Sequence, residues 1–103
     1  MKVSDMTGTA LDWAVAKCEV GAEFIGDIDD PHFYSTDWSQ GGVIIEREIA
    51  KIERFSDALW EATAFTNNAQ DFVQTGSTPL IAAMRCYVAS KLGEDIDLPE
   101  ELQ

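Results

Sequence analysis

Between Tyr34 and Gly42 the chain places a phenol, three hydroxyls, a carboxylate, an indole, an amide and a Gly-Gly step: Tyr34, Ser35, Thr36, Asp37, Trp38, Ser39, Gln40, Gly41 and Gly42. These groups suit a flat polar ligand such as a nucleotide. The faces of Trp13, Tyr34 and Trp38 can stack on a ring, Ser35, Thr36 and Gln40 can read its edge, and Asp12 or Asp37 can accept hydrogen bonds from ribose hydroxyls. Arg47, Arg85 and the free N–H groups of a helix opening at Thr78 suit a phosphate. Gly41-Gly42 can adopt positive φ and lets a ligand or another backbone approach closely. The same residues have a plainer reading, in which the aromatic side chains fill a small core, Gly-Gly is a tight connection and the arginines pair with surface acids.

Catalysis asks for more, because a nucleophile or general base must be held by a second group or by a metal. Asp12, Asp37, His32 and Cys86 are the candidates, and none has a partner at a spacing that specifies one. The expectation is therefore binding without catalysis, with no cofactor and no metal. His32 is the single histidine, no CxxC or HxxxH spacing occurs, and the acidic stretch at Asp27, Asp29 and Asp30 lacks the later glycine and bidentate glutamate of a calcium loop. Cys18 and Cys86 sit among apolar residues at helical spacing and are expected to be reduced, buried thiols.

Composition bounds the partners. A chain of 103 residues with an apolar fraction of 46% is expected to fold as one domain. No apolar run is long enough to span a membrane, and the N-terminus does not read as a secretory signal, which points to the cytoplasm. Nineteen acids against seven bases give a formal charge of −12, which argues against direct binding of nucleic acid. Arg47, Lys51 and Arg54 lie close enough in sequence to form a local basic patch. The acidity itself has two readings: a solvated surface, or a surface that imitates DNA and covers a nucleic-acid enzyme.

A small set of elements must position these groups. Thr7 or Thr9 opens a helix in which Leu11, Ala14, Val15 and Cys18 recur at i, i+3, i+4 and i+7. Asp12 falls in its first turn, Lys17 and Glu19 face water, Trp13 flanks the core and Gly21 stops it. Residues 1–6 read as a strand or extended arm, and Glu23-Phe24-Ile25 as a strand-like piece before the acidic loop. Residues 43–49 fit a helix or a strand, with Ile45, Ile49 and Ile52 favouring a helical turn. The runs at 59–65 and 71–75, flanking Asn67-Asn68, predict a β-hairpin. Thr78-Pro79 opens the last helix and Gly93 closes it. Leu80, Met84, Tyr87, Val88 and Leu92 make its apolar side, and Ala82, Ala83 and Ala89 would admit another element or a second copy. Residues 94–103 read as a mobile acidic tail, held at most by Ile96 and Leu98. The expected architecture is α+β, two main helices packed on a small antiparallel sheet, with residues 34–47 beside the N-terminus of the last helix.

Three ordered blocks carry a resemblance. Leu11-Asp12-Trp13-Ala14-Val15-Ala16-Lys17, then Tyr34 to Trp38 with Gln40-Gly41-Gly42 and Ile44-Ile45-Glu46-Arg47-Glu48, then the helix from Thr78-Pro79-Leu80 to Gly93, resemble the NinX-like family of small proteins of tailed bacteriophages and prophages. Val43 stands where family members often have proline after the Gly-Gly pair, and residues 50–74 depart most. The family is described as of unknown function. The resemblance implies an accessory phage gene expressed in a bacterial cytoplasm, a context in which small proteins act against host defence. Three functions follow. The first is sequestration of a small nucleotide-derived immune signal, in a pocket that a homo-oligomer would enlarge. The second is an acidic inhibitor or DNA mimic acting on a host protein, and the third a structural or regulatory adaptor.

Overall fold

The computed structural model describes residues 1–20, 33–65 and 71–98. Its centre is helix α3 (Pro79–Leu92), which begins and ends where its caps dictate. Thr78 Oγ1 accepts the Ile81 N–H at 3.1 Å, Pro79 occupies the first turn, and Gly93 closes the helix at φ +90°, where a side chain would be strained. Between the caps, Leu80, Ala82, Ala83, Met84, Cys86, Tyr87, Val88 and Ala89 are all buried. A helix apolar around so much of its circumference needs neighbours on more than one side.

One neighbour is an antiparallel sheet of β1 (Lys51–Ser56), β2 (Leu59–Phe65) and β3 (Asp71–Gly76), in the order β1-β2-β3. The others are α1 (Gly8–Val20) and α2 (Trp38–Glu48), which pack on α3. Three helices and a three-stranded antiparallel sheet make the fold α+β, as expected, with one helix more than the two predicted and with α3 the one that packs on the sheet. The hairpin of β2 and β3 is present as read, in a register that sets Trp60 against Gly76 and Thr63 against Val73. The sheet reaches α3 because the contact residues are small. A Cβ on Gly76 would stand 2.7 Å from the Ala82 nitrogen and 2.8 Å from Ile81 Cγ2. Ala82 and Ala83 are fully buried and Ala89 nearly so, hence the alanines of α3 serve packing within the chain and offer no face to a second copy. Leu92, assigned to the apolar side, is exposed at the helix end.

Three further expectations change. Gly41-Gly42 is no turn: both residues lie inside α2, which starts at Trp38 because the Asp37 carboxylate accepts the Ser39 N–H at 2.9 Å and caps it. Ile52 belongs to β1 and not to a helical stripe, since the chain turns extended at Ile49 and the Ala50 N–H already donates to the Thr63 carbonyl at 2.9 Å. Helix α1 begins at Gly8, whose φ of +54° sets the chain's entry, so Asp12 falls in the second turn and not the first.

The chain ends are tied together. Residues 1–6 form a short 3-10 turn (Val3–Asp5) and not a strand, and Val3 and Met6 are fully buried. Lys2 bridges Asp95, the Val3 N–H donates to the Glu94 carbonyl, and the Ile96 N–H donates to the Met1 carbonyl, both at 2.9 Å. Ile96 and Leu98 are buried at 5% and 6% exposure, so the segment after Gly93, read as mobile, is docked through Leu98. Gly21, Glu23-Phe24-Ile25, the acidic loop, His32, Asn67-Asn68 and residues 99–103 lie outside the described residues. Among the described residues no helix is long and apolar enough to cross a membrane.

Candidate functional site

The turn at residues 34–36 and the start of α2 stand beside the start of α3, and an open cleft of about 210 Å³ lies between them. Ser35, Thr36, Trp38, Thr78, Leu80 and Ile81 line it. The region around Trp38 thus lies next to the N-terminus of α3, and the indole is 55% exposed instead of filling the core.

Buried anchors hold the turn. The Asp12 carboxylate, only 6% exposed, accepts the Ser35 N–H at 2.8 Å. Gln40 Oε1 accepts the Phe33 N–H at 3.0 Å, and the Phe33 carbonyl accepts the N–H groups of Thr36 and Asp37. Gly41 brings α2 against both neighbours, because a Cβ there would lie 2.3 Å from the Tyr34 carbonyl oxygen and 2.6 Å from Leu80 Cδ1. A Cβ on Gly42 would meet only the Trp38 ring, at 3.7 Å. Tyr34 is half-buried, and burial, with Glu19 and Asp12 nearby, raises its phenol above the ordinary range.

Two helix N-termini meet at the cleft, and they differ electrically. The Asp37 carboxylate sits on the end of α2, held below the usual carboxylate range by the Ser39 hydroxyl at 2.6 Å and the Ser39 N–H. The end of α3 carries no acid in its first turn. Pro79 has no N–H, and the N–H groups of Ile81 and Ala82 bond back to Thr78, which leaves the Leu80 N–H as the donor of that first turn. Ser35 completes the wall: it is 2% exposed, and its hydroxyl has no hydrogen-bond partner among the described residues. Buried hydroxyls are seldom left so.

The structure therefore brings Ser35, Thr36, Trp38 and Thr78 together, with Asp12, Tyr34, Asp37, Gln40 and Gly41 positioning them, while Gly42 lies on the next turn of α2 without such a role. It does not bring the arginines. Arg47, nine residues beyond Trp38 and roughly 13 Å along the helix, binds Glu19 at 2.5 Å and Glu48 at 2.8 Å. Arg85 donates to the Met6 carbonyl at 2.8 Å and the Thr75 carbonyl at 2.7 Å, joining the 3-10 turn to β3. Trp13 is half-buried beneath the Lys17 ammonium, 5.4 Å from the ring centre, and does not line the cleft. Leu80 and Ile81 do line it and were missed. Their signal was available, since the residues directly after an N-cap and proline face whatever approaches that helix end.

Three of the four catalytic candidates are held in structural roles, and His32 lies outside the described residues. Asp12 and Asp37 anchor backbone, and Cys86 donates to the Phe72 carbonyl at 3.0 Å while burial pushes its thiol up to about 11. Cys18 is pushed up to about 12 by burial and by Glu19. Both thiols are free, without a disulfide.

Comparison with family models finds one described as "Bacteriophage P22, NinX" that matches residues 2–91. No match was found among curated proteins.

Proposed function

Because the chain belongs to this NinX family, we propose that it is a phage accessory protein of the host cytoplasm that binds a nucleotide-derived ligand in the cleft and holds it without chemistry. One observation carries this reading: Trp38, 55% exposed, lines the same cleft as the start of α3, where the Leu80 N–H stands beside the Thr78 cap. A base stacked on an aromatic side chain gains about 1–3 kcal/mol. A phosphate at the helix end meets the Leu80 N–H and the positive end of the dipole. Size and charge narrow the ligand. The volume of about 210 Å³ is smaller than the roughly 300–1,000 Å³ of sites that enclose a whole drug-sized molecule, so the cleft takes one base and one phosphate. With Arg47 and Arg85 engaged elsewhere, the cleft has no cationic side chain in its lining among the described residues, and a singly charged phosphodiester fits better than a triphosphate. Held in this way, an immune signal would be withdrawn from the host effector that responds to it.

Native mass spectrometry of protein purified from cells carrying nucleotide-signalling defence systems tests this. A stoichiometric, intact nucleotide released on denaturation is the expected result, and its loss in Trp38→Ala would place it in the cleft. Protein that emerges bare from every such lysate would overturn the proposal.

A second reading is favoured by the fate of the basic segment. Arg47 pairs with Glu19 and Glu48, Lys51 with Glu53 and Arg54 with Asp57, so that local patch is neutralised and does not interrupt the net negative charge of −12 carried by the chain. An acidic surface of this kind suits an inhibitor that covers a nucleic-acid enzyme. Its inhibition would collapse with added salt, whereas binding in the cleft would persist.

A further inference from the structure

We propose a second site, independent of the cleft, in which the cavity between the two chain ends binds a small zwitterion such as an amino acid or short peptide. This cavity, of about 450 Å³, is lined by Lys2, Ser4, Gln74, Glu94 and Asp95 and shares no residue with the cleft. It is large enough for a whole small ligand, by the same measure of roughly 300 Å³ and above.

Its walls are braced by backbone. The bridge between Lys2 and Asp95, with the hydrogen bonds from Val3 to Glu94 and from Ile96 to Met1, fixes one chain end on the other. Residues paired across such a bridge carry their side chains on the same face. Lys2 and Asp95 nevertheless form no ion pair, because the Asp95 carboxylate turns to the Met1 ammonium at 3.3 Å. Among the described residues the Lys2 ammonium and the Glu94 carboxylate have no charged partner.

The floor is unusual in a second way. Gln74 alternates along β3 with the outward Val73 and Thr75, and it is only 9% exposed. Its side chain lines the cavity, where the amide faces the open space. An amide offers a donor and an acceptor together. Around it stand one ammonium, one hydroxyl and two carboxylates. A simple anion meets repulsion from Glu94 and Asp95, and a simple cation meets Lys2. A zwitterion satisfies both signs, its carboxylate toward Lys2, its ammonium toward Glu94, and a polar group on Gln74.

The experiment is an amide-resolved NMR titration of the full chain with L-glutamine, using acetate and methylammonium as single-charge controls. The expected result is a saturable shift of the Gln74 side-chain amide and of the Lys2 and Ser4 backbone amides, given by L-glutamine and not by either control. Lys2→Met and Glu94→Gln, both at exposed positions where the fold tolerates change, are expected to weaken binding about tenfold, and Trp38→Ala to leave it intact. Absence of a saturable shift, equal saturation by acetate or methylammonium, or unchanged affinity in both charge variants would overturn the site.

Discussion

The two ends of α2 present opposite solutions to the same set of polar residues. At the C-terminal end, Arg47 Nη2 and the Tyr87 hydroxyl both donate to Glu19 Oε2 at 2.5 Å, Arg47 Nε donates to Glu48, and Lys91 reaches the other Glu48 oxygen at 3.3 Å. The guanidinium and the Lys91 ammonium also stand over the Tyr87 ring, each 5.9 Å from its centre. Every group there has its partner within the chain. At the N-terminal end, the Trp38 face is exposed, and among the described residues the Leu80 N–H and the Ser35 hydroxyl are left without one. Along α2 the charged side chains are engaged within the chain, and the neutral groups at its start are those that the proposed ligand would meet.

The largest effect should come from closing the contact that holds the open end. Gly41→Val puts a branched side chain where the Tyr34 carbonyl and Leu80 already stand, 2.3 and 2.6 Å from the first added carbon. The carbonyl belongs to backbone fixed by Asp12 and Gln40, so it cannot retreat cheaply. Overpacking of this kind costs about 1–3 kcal/mol or more, read by chemical denaturation. Gly42→Ala is the control: its Cβ meets only ordinary contact, and the exchange gains up to about 1 kcal/mol of helix propensity. If both variants lose stability alike, Gly41 is not the pivot described above.

The closed end should respond next. Tyr87→Phe keeps the buried ring, 2% exposed, and deletes the hydroxyl that Glu19 accepts. A hydrogen bond to a charged group is worth about 1.5–3 kcal/mol, and a loss near the lower figure is expected here because Arg47 still holds the carboxylate. Ligand binding in the cleft should not change.

A pH series separates the ends without mutation. Burial, and then the neighbouring Glu19, push the Cys18 thiol up to about 12 from the 9.0 of an ordinary thiol. A group raised in this way contributes stability that is complete below 9.0 and is lost as pH rises through about 12. Burial and the bond to Glu19 push the Tyr87 phenol the same way, so alkali loosens the closed end. Asp37 is displaced downward, and its contribution is present above the usual carboxylate range and lost as pH falls through its lowered value. Acid therefore loosens the open end. Thermal melts across pH should show the alkaline loss shrink in Cys18→Ala and the acid loss shrink in Asp37→Asn, and a result with the two variants exchanged would refute the assignment.

Local rules explain what was legible in the sequence. Thr78, Pro79 and Gly93 mark α3 because caps act on their own backbone, and the hairpin is visible because strand runs flank its turn. Strand β1 was hidden by an accident of spacing, Ile52 standing seven residues after Ile45, which mimics a helical stripe. Helix α2 was begun too late because two glycines look like a turn unless the Asp37 cap is weighed against them. Within the site, the nearness of Trp38 to Thr78 follows from the expected packing of the 34–47 region beside the start of the last helix, although the two residues stand forty positions apart in sequence. The loss of Arg47 and Arg85 to structural partners does not, since those bonds join residues 28 and 79 positions apart. No single-sequence pattern carries that information.

The smallest change in stability should accompany the largest change in binding. Trp38 is 55% exposed, and beyond the cleft its ring rests on the Gly42 turn of its own helix. Trp38→Ala is expected to shift unfolding by no more than about 0.5 kcal/mol. Removing a stacking face should at the same time weaken a nucleotide by about 1–3 kcal/mol, tenfold or more. Isothermal titration with a cyclic mononucleotide, alongside the matching 5′-triphosphate, reads both the loss and the expected preference for the singly charged ligand. A destabilisation equal to that of Tyr87→Phe would mean that Trp38 is a packing residue, and the contrast between the two ends of α2 would then dissolve into two structural ends.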